Sequence, residues 1–170
     1  SWTYREQYGF NSSVLLPANL YSPHDNYNLE TSHVIPALVR KFVEAEEINS
    51  KEVAVWGSVL LSREFLYVED TAKAILAVAK NYNESGPLNL GTGIETSIKK
   101  LAETIKRLTG FKGQIIWDES KPDGQMRKYY DMSLFKEKLG YIPNTSLEDG
   151  LKKTIKWYRL NPEYLNDGDE

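Results

Sequence analysis

The sequence of 170 residues has no cysteine. That excludes disulfides, thiolate nucleophiles and cysteine-held metal clusters, and it suits a reducing cytoplasm, the expected localisation. Histidine is nearly absent, with two copies, His24 and His33. Neither lies at a metal-ligand spacing from the scattered acids, so no metal site is expected, and no Ser-His-Asp arrangement can be assembled. There is no excess of positive charge: the formal net charge is -3, which argues against nucleic acid as a partner. No apolar run approaches a membrane span, and the opening SWTYREQYGF has no secretory apolar region, so no membrane partner is expected. Internal repeats and low-complexity stretches are missing too.

What is present is ordinary globular material, 41% hydrophobic and 26% charged, in a length that defaults to one domain with a sizeable core. SWTYREQYG reads as the last turns of an amphipathic helix closed by Gly9, with no N-cap before it, as expected of a truncated chain. Residues 12–17 read as a buried strand, and 18–30 as a loop rich in Asn, Asp, Ser and Pro. A helix over 32–46 follows, with Pro36 in its first turn, then short strands at 52–56 and 64–67. Glu69 and Asp70 open a helix whose buried stripe is expected to be Ala72, Ile75, Leu76 and Ala79. A strand at 88–90 precedes a helix from Ser97 that carries Ile98, Leu101, Ala102, Ile105 and Leu108 at helical period and stops at Gly110. A strand over 114–117, a charged loop over 118–128 and a short helix over 133–139 come next. Ser146 to Asp149 then starts a last helix that buries Leu147, Leu151, Ile155 and Tyr158. Strands alternate with helices, so the class is α/β.

Several features could carry chemistry, each with a plainer alternative. The stretch 17–41 places a strand end, a polar loop and a helix start in succession, which offers a ligand backbone groups, side chains and unpaired N–H donors. Residues 89–96, NLGTGIET, imitate a dinucleotide-binding turn, but Thr96 stands where the third glycine belongs; the plainer reading is a glycine turn. His33 lies beside a helix start, where a histidine is more often structural than catalytic. Lys41 follows it by two i+4 steps, on the same face about 12 Å away. With Arg63, Lys121, Arg127 and Lys128 it could surround a pyrophosphate or belong to solvated surface. Trp56, before Gly57, could stack on a base or sugar or fill a core. Asp123, in KPDG, could accept bonds from a ligand or simply form a turn.

Taken in order, PANLYSPHDNYNLETSHVIPALVRKF, VAVWG, REFLYVEDTAKAI, LNLGTG and SKPDGQMRK resemble the C-terminal part of the GDP-L-fucose synthases, a family of extended short-chain dehydrogenase/reductases. The resemblance runs from about residue 2 to 158. It implies the C-terminal portion of an NAD(P)-binding Rossmann-type fold with a smaller mixed α/β substrate-binding subdomain. Residues 1–31 and about 64–92 would end the Rossmann part. Residues 32–63 and about 93–160 would form the substrate-binding part, and 161–170 a polar tail.

The activity implied is that of an NADPH-dependent epimerase-reductase, both oxidoreductase and isomerase, converting GDP-4-keto-6-deoxy-D-mannose to GDP-L-fucose. Such an enzyme epimerises two carbons flanking the ketone and then reduces the ketone with hydride from NADPH. By position, Pro17, Ala18, Asn19 and Leu20 would lie along the nicotinamide end of NADP. His33 would contact NADP and act as acid in epimerisation, and Lys41, Trp56, Arg63 and Asp123 would hold the GDP-sugar. The family's glycine-rich loop, Tyr-x-x-x-Lys pair and base cysteine have no counterpart in this sequence. Most of the NADP site would then lie outside it, and the chain alone is expected to be inactive. Ser22 replaces the usual glycine, and Val59-Leu60-Leu61 a more polar turn. The alternatives are another GDP- or UDP-sugar epimerase or dehydratase, and a non-catalytic nucleotide-sugar-binding module or half of a split enzyme. The complete enzyme would be a homodimer, or a partner chain would supply the N-terminal half. The strands at 12–17 and 87–91 would leave an uncovered parallel edge, with poor solubility.

Overall fold

The computed structural model describes residues 2–57, 60–118, 120, 124–140 and 143–162. In chain order the elements are α1 (Trp2–Tyr8), β1 (Val14–Pro17), β2 (Asn19–Tyr21), α2 (Val34–Glu47), β3 (Glu52–Trp56), β4 (Ser62–Tyr67) and α3 (Val68–Asn81). They continue with β5 (Pro87–Leu90), β6 (Glu95–Ser97), α4 (Ile98–Thr109), β7 (Gln114–Asp118), β8 (Arg127–Lys128), α5 (Ser133–Leu139) and α6 (Leu147–Leu160). β1 pairs with β5, β3 with β7, and β2, β4 and β6 form a third sheet in that order with β8 on β4. The chain divides into two compact units, each built from three separate stretches. The first comprises Ser1–Leu20, Glu64–Glu95 and Lys128–Thr145; the second comprises Tyr21–Arg63, Thr96–Arg127 and Ser146–Glu170.

In the first unit β1 and β5 run parallel, Val14 opposite Pro87 and Pro17 opposite Leu90, as the sequence suggested. The Ala18 N–H extends the ladder to the Leu90 carbonyl at 2.8 Å. Leu66, Ala74, Val78, Leu88, Leu90 and Phe135 form the core beside them. Two expectations fail here. β1 is only half-buried, with Leu16 44% exposed. α3 buries Asp70, Thr71, Ala74 and Val78 instead of the stripe through Ile75 and Leu76, which are 49% and 59% exposed.

The cause is Asp70, which shares a face with Ala74 and Val78 at i, i+4 and i+8. Its buried carboxylate accepts the Asn144 and Thr145 N–H groups on Oδ2, at 3.0 and 2.7 Å, and Lys73 Nζ on Oδ1 at 3.3 Å. Those bonds fix the rotation of α3 against a second apolar stripe of equal period. Burial pushes the Asp70 carboxyl up, but the hydrogen bonds from Thr145 and Lys73 win and hold it below its ordinary value of 3.8. A carboxylate depressed by folding contributes stability above its unfolded pKa, and that contribution is lost as pH falls through the lower folded value. Asp70→Asn is therefore expected to cost about 2 kcal/mol at pH 7 and distinctly less near pH 3. Urea titration at the two pH values measures this, and an equal loss at both would contradict it.

In the second unit β3 and β7 run parallel, Glu52 opposite Gln114 and Trp56 opposite Asp118. Helices α2, α4 and α6 pack on one another and bury Val39, Phe42, Leu101, Ile105 and Leu151. Phe42 meets Phe111 edge-on at 5.7 Å. The local signals hold: Ser97 Oγ caps α4 by accepting the Lys100 N–H at 3.1 Å, and Ser146 Oγ caps α6 through Asp149 N at 3.1 Å. Gly110, at φ 84°, ends α4 in the left-handed conformation that glycine adopts without a Cβ penalty. No helix among the described residues is long and apolar enough to cross a membrane.

Candidate functional site

α2 exists because Ile35, Leu38, Val39, Phe42 and Val43 repeat at helical spacing and face the core, which leaves the other face for chemistry. His33 is its N-cap, in extended backbone at φ -75°, ψ 170°, with an exposed side chain that makes no capping bond. The preceding Ser32 has a buried hydroxyl oxygen with no hydrogen-bond partner among the described residues, unlike most buried hydroxyls.

Two turns on, the Lys41 ammonium sits 4.5 Å above the Trp56 ring and donates to the Ala54 carbonyl at 3.1 Å. Burial pushes its pKa below the ordinary lysine value, and the charge of Asp118 offsets part of that. Trp56 is 53% exposed, which rules out the core-filling reading. Asp118 stands opposite it at the end of β7, its Oδ1 accepting the Ser120 N–H at 3.0 Å and the Ser120 hydroxyl at 2.6 Å. The Gly57 N–H closes this end of the strand pair on the Asp118 carbonyl at 3.0 Å. A cation, a half-exposed indole and a carboxylate thus occupy one corner. Together they can meet a phosphate, a flat ring and a hydroxyl.

Arg63, early in β4, donates from Nη1 to the Ser62 carbonyl at 2.7 Å and the Met126 carbonyl at 3.5 Å. Asp123 and Lys121 lie outside the described residues, as does Val59. In the first unit, Pro17 and Leu20 are exposed, Ala18 is buried, and Asn19 Nδ2 donates to the Glu64 carbonyl at 2.8 Å. Arg127 and Lys128 form the short exposed β8, with Lys128 Nζ 5.8 Å from the Tyr130 ring. Among the described residues no group of three His, Asp or Glu could hold a metal ion.

Two acids take places that the sequence does not assign them. Asp118, legible as an acid ending a strand, stands beside Lys41 and Trp56. Glu64 is fully buried between Arg63 and Phe65. Its Oε1 accepts the Thr92 N–H and, at 2.7 Å, the Gly93 N–H, while Oε2 accepts the Tyr130 N–H at 2.7 Å. The turn over 91–93 is therefore a cradle for an internal carboxylate, and its anion-binding N–H groups are already used. The signal was an acid inside the apolar strand REFLY, where an unpaired charge would not be tolerated.

Residues 1–91 match the model of the NAD dependent epimerase/dehydratase family. The chain is 41% identical over 170 residues to GDP-L-fucose synthase of Escherichia coli (strain K12), covering 95% of this chain and 53% of that protein. It is 44% identical over 158 residues to GDP-L-fucose synthase 1 of Arabidopsis thaliana, covering 93% and 49%. The crystal structure of a GDP-L-fucose synthetase from Naegleria fowleri bound to NADP superposes with a TM-score of 0.83 at 35% identity, over 89% of this chain and 47% of that one. The chain spans about half the length of the relatives it matches.

Proposed function

The chain belongs to the NAD dependent epimerase/dehydratase family, and on that premise we propose that it is the substrate-binding half of an NADPH-dependent epimerase-reductase acting on GDP-4-keto-6-deoxy-D-mannose to give GDP-L-fucose. The observation that carries the reading is the Lys41 ammonium held over the exposed ring of Trp56 with Asp118 alongside. Lys41 and Arg63 would neutralise the diphosphate, the indole would stack on the guanine or sugar, and Asp123 would accept from a ligand hydroxyl. Arg63 keeps N–H donors beyond the two carbonyl contacts of its Nη1 group.

His33 would return a proton to a carbon next to the ketone, since the carbonyl acidifies those positions and an exposed imidazole can donate there. The cofactor, when bound in its reduced form NADPH, would supply the hydride that reduces the ketone. In the first unit, exposed Pro17 and Leu20 and the backbone around Ala18 and Asn19 would contribute to holding it. The remainder of that site would come from a Rossmann half, in the same polypeptide or in a partner chain, acting in the cytoplasm as a homodimer. Such a half would also cover the exposed Trp2, Tyr4, Leu16, Ile75 and Leu76.

Calorimetry of the chain with GDP-sugars and UDP-sugars tests this. GDP-sugar binding is expected to be preferred and to weaken roughly tenfold in Trp56→Ala and in Lys41→Met, about 1–2 kcal/mol each. A clear UDP preference would overturn the substrate. Conversion of the keto sugar by this chain with NADPH alone would overturn its being half of the catalyst.

A further inference from the structure

In the second unit, the parallel pairing of β3 with β7 puts Trp56 opposite Asp118. Partners in such a pair point to the same side of the sheet, on strands about 4.8 Å apart. Along β3 the exposed side chains are Glu52, Ala54 and Trp56, while Val53 and Val55 are buried. Trp56 and Asp118 therefore stand together on the exposed face. Ser120 fixes the orientation of the carboxylate, because its N–H and its hydroxyl both reach Asp118 Oδ1, at 3.0 and 2.6 Å. The Gly57 N–H, on the Asp118 carbonyl at 3.0 Å, holds the backbone beneath it.

A carboxylate held in this way repels a diphosphate, so the part of a ligand that meets it must bring N–H or O–H donors. A base stacked on the indole would turn its edge to the neighbouring strand, where Asp118 stands. Among the common bases guanine brings two adjacent donors on one edge, N1–H and the 2-amino group. Adenine has an acceptor at N1, and uracil has a carbonyl oxygen on each side of its one N–H. The Lys41 ammonium, 4.5 Å from the same ring, offsets the carboxylate's charge and lets an anionic nucleotide approach.

On the reading that this corner takes a GDP-sugar, we infer that Asp118 selects guanine, its carboxylate accepting N1–H and the 2-amino group while Ser120 holds it in place. A site built to pair with particular donors rejects a base that lacks them, because its own buried polar group is then left unpaired.

Calorimetry of the full chain with four nucleoside diphosphates tests the inference. They are GDP, UDP, inosine diphosphate, which lacks the 2-amino group, and xanthosine diphosphate, which carries an oxygen there. The parent should bind inosine diphosphate roughly tenfold more weakly than GDP, through loss of one charge-assisted bond. Asp118→Asn keeps an oxygen for Ser120 and turns an amide donor toward the base. It should weaken GDP and bind xanthosine diphosphate more tightly than GDP, reversing the order of the parent. Equal affinity of the parent for GDP and inosine diphosphate would overturn the inference, whether or not the variant folds. A variant that weakens every nucleotide by one common factor would overturn it too, since Asp118 would then meet the shared ribose or only support Lys41. A preference for GDP that persists unchanged in the variant would sink the inference and leave the GDP-sugar reading standing. A UDP preference in the parent, or no binding of any nucleotide, would overturn that reading and the inference with it.

Discussion

Glu64→Leu is expected to unfold the first unit under conditions where the parent chain is stable. The side chain is fully buried, and its carboxylate is the acceptor for the N–H groups of Thr92, Gly93 and Tyr130. Leucine fills much the same volume and accepts nothing. Each stranded donor costs about 1–3 kcal/mol, so a loss of at least about 4 kcal/mol is expected, against a total stability of about 5–15 kcal/mol. Glu64→Gln keeps one acceptor oxygen and turns an amide toward the remaining donor, so it should lose about half as much. Gly91→Ala approaches the same cluster from the other side. A Cβ at Gly91 would lie 2.1 Å from Glu64 Oε1 and 2.7 Å from Cδ, so the carboxylate would have to leave its cradle. Urea unfolding followed by circular dichroism ranks the three. A leucine variant within about 1 kcal/mol of the parent, the size of an ordinary substitution, would refute the cradle.

The second large effect concerns Gly150 and runs against helix propensity. Glycine within a helix is usually about 1 kcal/mol worse than alanine, so Gly150→Ala in α6 should stabilise if propensity ruled. It should instead destabilise by about 2–3 kcal/mol, because overpacking a tight core costs that much. The added Cβ would lie 2.1 Å from Tyr21 Oη and 2.8 Å from Cζ, and Tyr21 is only 2% exposed. Tyr21→Phe removes the nearest atom, so in the Gly150→Ala background it should recover part of the loss, although Cζ still crowds the new methyl. A thermal melt of the single and double variants decides the sign; a gain in Tm for Gly150→Ala would show that the helix gives way easily.

The legible parts of this fold were those decided within a turn or two of chain. Ser97, Gly110, Gly140 and Ser146 bound their helices as expected, because capping bonds form between near neighbours. The short strands β2, β6 and β8 were not foreseen, since two or three residues carry no period to read. α3 presented two apolar stripes, and the choice between them was made by backbone donors at Asn144 and Thr145, far along the chain from Asp70. Glu64 shows the same limit, its donors arriving from residues 92, 93 and 130. At the candidate site, Lys41 and Trp56 were legible as residue types, and their meeting through α2 and β3 was implied by the family resemblance alone. Asp118 joins them only because β7 runs in register with β3.

Each unit draws on three separated stretches of chain, which has a consequence for how the polypeptide is made. During synthesis Val14 emerges long before Pro87, the residue it must pair with, and Asp70 long before its donors at 144 and 145. Neither unit can close until its third stretch has left the ribosome. Dominance by such distant contacts slows folding and prolongs the life of unpaired, aggregation-prone intermediates. Yield in the cell should therefore respond more to chaperone supply and to a lowered growth temperature than to strengthening any single helix.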